Sequence, residues 1–140
     1  MATPSSIGIE QADGSVKAIY CHWDGHIETN GKRLIKHYQD RERAEKLIAL
    51  GGISVLGPEL TTDLPHSFYH PVDGVTIAYH RDRGDNHVSD EYATVAQYFK
   101  QTDYDYVYLL TQEGEWICKS SKLPNIVTVK DALQLLRITK

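Results

Sequence analysis

Residues 20–26 hold the densest group of chemically active side chains in this sequence. They read YCHWDGH, so a thiol, an indole, a carboxylate and two imidazoles directly follow a run that favours a β-strand. On an extended backbone, alternate side chains project to the same side, which would bring His22, Asp24 and His26 together. Imidazole and carboxylate ligands of this kind suit zinc or manganese, and a metal-bound water would support hydrolysis.

The dipeptide Asp24-Gly25 favours a turn, and a turn would break this alternation. In that alternative Trp23 and Tyr20 anchor the end of the strand, and Asp24 caps the turn. A closed metal site also needs three or four ligands with supporting hydrogen bonds. We therefore expect no bound metal or other cofactor, and the candidate ligands are kept as the weaker hypothesis.

Residues 79–85, which read YHRDRGD, form a second polar group after a strand-like run. Arg81 and Arg83 flank Asp82, and Gly84 allows a sharp turn that would aim a guanidinium at a phosphate or carboxylate. The alternative is an internal network of ion pairs with Asp82, Asp85 or Glu91. The sequence leaves both interpretations open.

Known catalytic patterns are absent from the sequence. The chain has seven histidines, and His66, His70, His80 and His87 flank a predicted loop and strand, yet their spacing matches no hydrolase pattern. There is no nucleophile elbow and no glycine-rich phosphate loop. The prediction for enzymatic activity is therefore open and leans towards a protein that is not an enzyme.

Size and composition predict one domain over residues 1–140. The net charge of −4 argues against a broad nucleic-acid surface, and no apolar run is long enough to cross a membrane. The N-terminal residues do not resemble a secretion signal, so the expected location is the cytosol. Cys21 and Cys118 are interpreted as small, buried, reduced thiols.

The pattern of apolar residues and turns predicts an α+β fold. Turns at residues 12–15 and 112–115 separate β-favouring runs and predict two hairpins. Residues 53–73 contain three prolines and predict an irregular connection with a short helical turn near its start. We expect a single antiparallel sheet of about five strands with helices packed mainly on one face. The predicted strands are residues 7–9, 16–20, 75–79, 104–110 and 116–119, and the predicted helices are residues 31–38, 41–50, 94–100 and a final segment after Thr128.

Three alternate tyrosines, Tyr104, Tyr106 and Tyr108, mark one face of a predicted strand. If helices cover that face, the rings belong to the core. If the face is exposed, it forms a protein-binding patch, because tyrosine is enriched at interfaces.

Five segments in this order resemble a family of small, mostly uncharacterised phage and prophage proteins. The two polar motifs are the most specific part of the resemblance, and a tyrosine-rich strand followed by Gly114-Glu115-Trp116 extends it. Residues 121–140 extend beyond shorter relatives. The segments are residues 6–9 (SIGI), 19–25 (IYCHWDG), 36–38 (KHY), 50–58 (LGGISVLGP) and 79–85 (YHRDRGD).

The resemblance implies an accessory phage product, and such small acidic proteins are often inhibitors of bacterial immunity, as anti-CRISPR proteins are. It implies a non-enzymatic inhibitor that binds a defence protein complex in the host cytoplasm. One alternative is a sponge that sequesters a cyclic or ADP-ribose-derived signalling nucleotide by arginine contacts and base stacking. The second alternative is a metal-dependent hydrolase. The candidate binding residues are Trp23, Asp24, His26, Arg81, Asp82 and Arg83.

Overall fold

A computed structural model describes residues 2–86 and 88–138 of the protein. Within them, eight strands form one sheet, and five α-helices and one π-helical turn connect or cover it. The strands are β1 (Ser5–Glu10), β2 (Val16–Cys21), β3 (Ile53–Val55), β4 (Ile77–Ala78), β5 (Asp90–Tyr92), β6 (Tyr106–Leu110), β7 (Trp116–Ser120) and β8 (Val127–Thr128). The helices are α1 (Lys32–His37), α2 (Arg41–Ala49), α3 (Tyr79–Arg83), α4 (Val95–Gln101) and α5 (Val129–Ile138), and the π-helical turn covers Ile27–Gly31.

The two predicted hairpins are confirmed. β1 and β2 are antiparallel neighbours, and so are β6 and β7. Gly14 and Gly114 take φ angles of 87° and 86° in their turns, a backbone conformation that glycine adopts without a steric penalty. Asp13 also accepts a hydrogen bond from the backbone N–H of Ser15, which closes the first turn locally.

The predicted single antiparallel sheet of about five strands is wrong. The strand order is β4-β3-β2-β1-β6-β7-β8, with β5 beside β2, and the sheet is mixed. β1 runs parallel to β6, and β2 parallel to β3. Parallel neighbours need a long crossover, and the chain between β1 and β6 supplies one. In this register Ile7 lies beside Tyr108, and both are buried in the same apolar cluster.

Three short strands were not predicted. β3 occupies the segment for which a helical turn was expected, and the other two are β5 and β8. Each has two or three residues, too few for an alternating pattern to be visible in the sequence. They are held by neighbouring strands from other parts of the chain.

In the part of the chain that the structure describes, helices lie on both faces of the sheet, but three of them, α1, α2 and α5, share one face and α4 alone covers the other. On the first face Ile7, Ile19, Leu47 and Trp116 belong to one buried cluster with residues of α1, α2 and α5. On the second face α4 packs on a smaller cluster from β2 and β6. We call this second side the α4 face.

Tyr98 anchors α4 to the sheet. Its hydroxyl donates to the backbone carbonyl of Tyr108 at 2.8 Å and lies 2.9 Å from the Ser6 Oγ. A Cβ atom at Gly8 would lie 3.0 Å from the Tyr98 ring, so glycine there allows this close approach. The buried ring of Phe99 completes the contact.

Side-chain caps begin three of the helices. Asp40 accepts from the N–H of Glu42, Thr94 from the N–H of Gln97, and Thr128 from the N–H of Asp131. In residues 2–86 and 88–138, no helix has both the length and the apolar character that crossing a membrane requires.

Candidate functional site

A tight turn fixes the backbone after β2. Asp24 has a φ of 62°, in the left-handed region, and the N–H of Gly25 donates to the carbonyl of Thr3 at 2.8 Å. A Cβ at Gly25 would lie only 2.5 Å from that carbonyl oxygen, so only glycine fits. The sharp reversal at Asp24 ends the extended backbone that the metal hypothesis required.

Buried groups hold this turn from inside. The amide nitrogen of Asn30 donates to the Trp23 carbonyl at 3.0 Å and lies 3.4 Å from the Cys21 sulfur. Burial raises the pKa of the Cys21 thiol to about 12, and burial likewise raises that of Cys118 to about 12. Both thiols are protonated at neutral pH, which agrees with the predicted structural role.

Trp23 projects outward from the turn. The residue is 40% exposed, and its ring meets His22 edge to face with the ring centroids 4.9 Å apart. His22 Nδ1 in turn lies 2.6 Å from the Tyr20 hydroxyl. An indole, an imidazole and a phenol thus form a row along the end of β2.

The other candidates in this motif do not join in one site. Asp24 forms an exposed ion pair with Arg33 at 3.4 Å, and His26 lies exposed with its ring 5.3 Å from Tyr106. Among the residues that the structure describes, no group of three or more His, Cys, Asp or Glu side chains is arranged to hold a metal ion.

The second motif forms the short helix α3, and its central ion pair is internal. The Asp82 side chain is 4% exposed and accepts from Arg81 at 2.8 Å and 3.0 Å and from the N–H of Ala78 at 2.8 Å. Burial acts to raise the pKa of Asp82, but the bonds from Arg81 and Ala78 and the nearby His66 outweigh it, so this pKa lies below its ordinary value. Arg81 also donates to the carbonyl of Leu60. These contacts match the alternative of an internal network.

Arg83 faces a different set of partners. Its guanidinium stacks over the rings of Phe68 and Tyr79. The distances from the guanidinium carbon to the two ring centroids are 4.3 Å and 5.0 Å. Asp85 accepts two hydrogen bonds from it, at 2.9 Å and 2.7 Å, and these bonds raise the pKa of Arg83 and lower that of Asp85. The charge of Arg83 is therefore already matched by a carboxylate.

An open hollow of about 880 Å³ lies between the two motifs, and we call it the aromatic cleft. Tyr20 reaches it from the α4 face, since it follows Ala18 by two positions along β2. The Tyr20 and Tyr104 ring centroids are 5.6 Å apart. Burial and nearby ionisable groups raise the pKa of both tyrosines, so both hydroxyls are neutral at physiological pH. The lining residues are Tyr20, Gly52, Tyr79, Arg83, Asp85, Asn86, Val88, Asp90 and Tyr104.

Of the predicted binding residues, the structure places only Arg83 in the lining of the cleft. Arg81 and Asp82 bond to each other and to the backbone of neighbouring segments, so they have a structural role. Sequence reasoning missed Tyr20, Val88 and Asp90 as surface residues. Of the predicted tyrosine face, Tyr106 and Tyr108 are buried as core, whereas Tyr104 precedes β6 and is 39% exposed. One signal in the sequence could have indicated this surface: Val88 is a single apolar residue in an otherwise polar stretch.

The remaining histidines have separate local surroundings. His66 lies 3.7 Å from Asp82, His70 bonds within its own turn, and His80 Nδ1 lies 2.7 Å from the Asp85 carbonyl. His87 lies outside the described residues.

Comparison of the chain with protein-family models, with curated proteins and with solved structures found no match.

Proposed function

We propose that this protein is a non-enzymatic inhibitor of bacterial immunity that binds a defence protein complex in the host cytoplasm. The resemblance of its two motifs to phage and prophage proteins supports the biological setting. The mode of action rests on one observation, which is a row of ring contacts at the end of β2: Trp23 meets His22, His22 meets Tyr20, and Tyr20 meets Tyr104. Trp23 and Tyr104 at the ends of this row are 40% and 39% exposed, and the apolar Val88 of the cleft lining is 56% exposed.

Exposed aromatic side chains of this kind favour a protein partner. Trp, Tyr and Arg are the residue types that most often dominate binding energy at protein interfaces. Trp23 is held outward by a turn that is fixed through Gly25 and Asn30, so little side-chain and backbone ordering remains to be done on binding.

The same geometry gives little support to catalysis. Cys21 and Cys118 are buried thiols with raised pKa values. His22, Asp24 and Arg81 each bond to different groups, namely Tyr20, Arg33 and the Asp82 network. A reaction needs its groups aimed at one point, and these three are not.

A nucleotide sponge is the second candidate, because the aromatic cleft offers rings for base stacking beside Arg83. The charges of the cleft weigh against it. The Arg83 guanidinium already donates two hydrogen bonds to Asp85, and Asp90 adds a second carboxylate to the lining. A phosphate group would therefore meet more negative than positive charge.

The decisive experiment is co-purification of the tagged protein with CRISPR effector complexes from a plausible host, read together with an interference assay. We expect a stable complex and reduced interference. The double variant Trp23→Ala/Tyr104→Ala is expected to weaken binding by roughly a hundredfold or more, since hot-spot truncations cost about 2 kcal/mol or more. The matched control is Ile126→Ala, which trims an exposed apolar residue that belongs neither to the row of rings at the end of β2 nor to the cleft lining. Absence of any complex together with unimpaired interference would refute the proposal.

A thermal-shift screen separates the sponge from the inhibitor. A nucleotide that binds the folded chain at a hundredfold its Kd stabilises it by about 2.7 kcal/mol. Cyclic and ADP-ribose-derived nucleotides are expected to leave Tm unchanged. A shift that the Tyr20→Ala/Tyr104→Ala variant loses would replace the inhibitor with the sponge.

A further inference from the structure

The aromatic cleft has two parts, and the first already contains a complete guanidinium site. Arg83 lies over the Tyr79 and Phe68 rings, and Asp85 accepts two hydrogen bonds from it. Flat rings beneath the cation and a carboxylate at its edge are the two elements that arginine recognition needs. We call this part the inner half.

The second part repeats these elements. Tyr20 and Tyr104 present two rings whose planes are inclined by 48°. Asp90 is the Cα partner of Ala18 across the β2–β5 ladder, so its side chain projects to the same face as Tyr20. We call these three residues the outer half.

The inner half contains a cation, Arg83, whereas the three residues of the outer half include none. Among the described residues that line the cleft, the only cation is Arg83, which Asp85 engages. The Asp90 carboxylate has no hydrogen bond or salt bridge to any residue of the described ranges 2–86 and 88–138, and it is exposed to solvent. Burial and then the charge of Asp90 raise the pKa of Tyr104, which agrees with a negative potential over these rings.

We propose that the outer half of the aromatic cleft receives an arginine side chain of the bound defence protein, stacked on Tyr20 and Tyr104 and bonded to Asp90. This inference rests on the proposed function, whose partner it describes by its chemistry. Charge complementarity selects the occupant, because the lining carries two carboxylates and one arginine.

Arginine fits this place better than lysine. Its guanidinium is planar, stacks on aromatic rings and can donate two parallel hydrogen bonds to one carboxylate. An ammonium group would be a point charge over inclined rings. The inner half shows the same preference within this chain, where Arg83 stacks on rings and is bound by Asp85 through two bonds.

The test is an NMR titration of the full chain with N-acetyl-arginine amide. We expect saturable shifts of the backbone amide signals of Tyr20, Asp90 and Tyr104. The citrulline analogue has nearly the same shape without the charge, and it should produce no saturable shift. The lysine analogue should bind more weakly than the arginine analogue.

Two charge-neutralising variants sharpen the test. Asp90→Asn is expected to weaken arginine-amide binding about tenfold, the loss of one charge-assisted contact. Asp63→Asn removes the same charge from an exposed residue outside the cleft lining and should bind like the parent protein. Both positions are exposed, so both variants are expected to fold.

Equal binding of the arginine and citrulline amides, stronger binding of lysine amide, or equal loss in both variants would overturn the assignment. The outcomes also separate the two proposals. If the parent protein inhibits interference and Asp90→Asn inhibits as well as Asp63→Asn, the arginine site is wrong and the inhibitor stands. If no defence complex binds, the proposed inhibitor function is wrong, and the titration still decides whether the outer half binds an arginine side chain.

Discussion

The two polar motifs follow strands and look alike in sequence, yet they play opposite parts in the fold. In residues 20–26 the backbone is fixed by Gly25 and Asn30, and the side chain of Trp23 remains available to solvent. In residues 79–85 the charged side chains themselves hold the structure, through the buried Asp82 and Arg81. A high density of ionisable groups therefore does not indicate a binding site until their partners are known.

Gly25→Ala is the strongest test of the first motif. The added Cβ would lie 2.5 Å from the Thr3 carbonyl oxygen and 2.9 Å from that of Pro4, so the backbone itself must move. We expect a loss of about 3 kcal/mol or more in the free energy of unfolding, at the upper end for overpacked sites. Chemical denaturation measures it. Gly52→Ala is the control, because its nearest contact would be 3.7 Å and it should change stability by about 1 kcal/mol or less.

Asp82→Asn tests the second motif. The change removes a carboxylate that is 4% exposed and leaves the Arg81 guanidinium with weaker partners. We expect a loss of about 2–3 kcal/mol in the free energy of unfolding, less than for a fully buried pair because Arg81 is 26% exposed. Asp85→Asn, which breaks an exposed pair with Arg83, should change stability little. Similar losses in the two variants would show that Asp82 is no more structural than Asp85.

Acid should weaken the same network. The pKa of Asp82 in the folded protein lies below its ordinary value of 3.8, so the folded state favours the ionised carboxylate. This contribution is complete above the unfolded pKa and is lost as the pH falls through the folded pKa. The stability difference between the parent protein and Asp82→Asn should therefore narrow on acidification below about pH 4. Other carboxylates are common to both proteins and cancel, so a constant difference would contradict the assignment.

Local signals in the sequence predicted several turns, strands and helices, but not the arrangement of the sheet. The hairpin turns at Gly14 and Gly114 and the start of the helix that follows Asp40 depend on neighbouring residues only, and they are where they were expected. The sheet topology depends on which distant strands meet. Nothing local to β1 shows that it runs parallel to β6, and β5 is too short to carry a pattern of its own.

The candidate site was only partly predictable for the same reason. Trp23 and Arg83 stand out in the sequence, but the cleft depends on Tyr20, Asp90 and Tyr104, which come from three separate segments. Tyr20 shares its face with Val16 and Ala18, which pack with residues of α4, whereas Tyr20 itself lies outside that cluster and is half-buried. The boundary of that cluster is a property of packing and not of the β2 sequence.

Of these substitutions, Asp24→Asn should change the free energy of unfolding least, and it compares the exposed Asp24 with the buried side chain of Asp82. Asp24 and Arg33 form an ion pair with 48% and 35% of their side chains exposed, and such pairs contribute about 0–1 kcal/mol. Asn also tolerates the φ of 62° at this position, so we expect a change within about 0.5 kcal/mol in denaturation experiments. Asp24→Val removes the same charge but resists that φ, and it should cost about 1–2 kcal/mol. Equal losses for Asn and Val would mean that the charge, and not the backbone, positions Trp23.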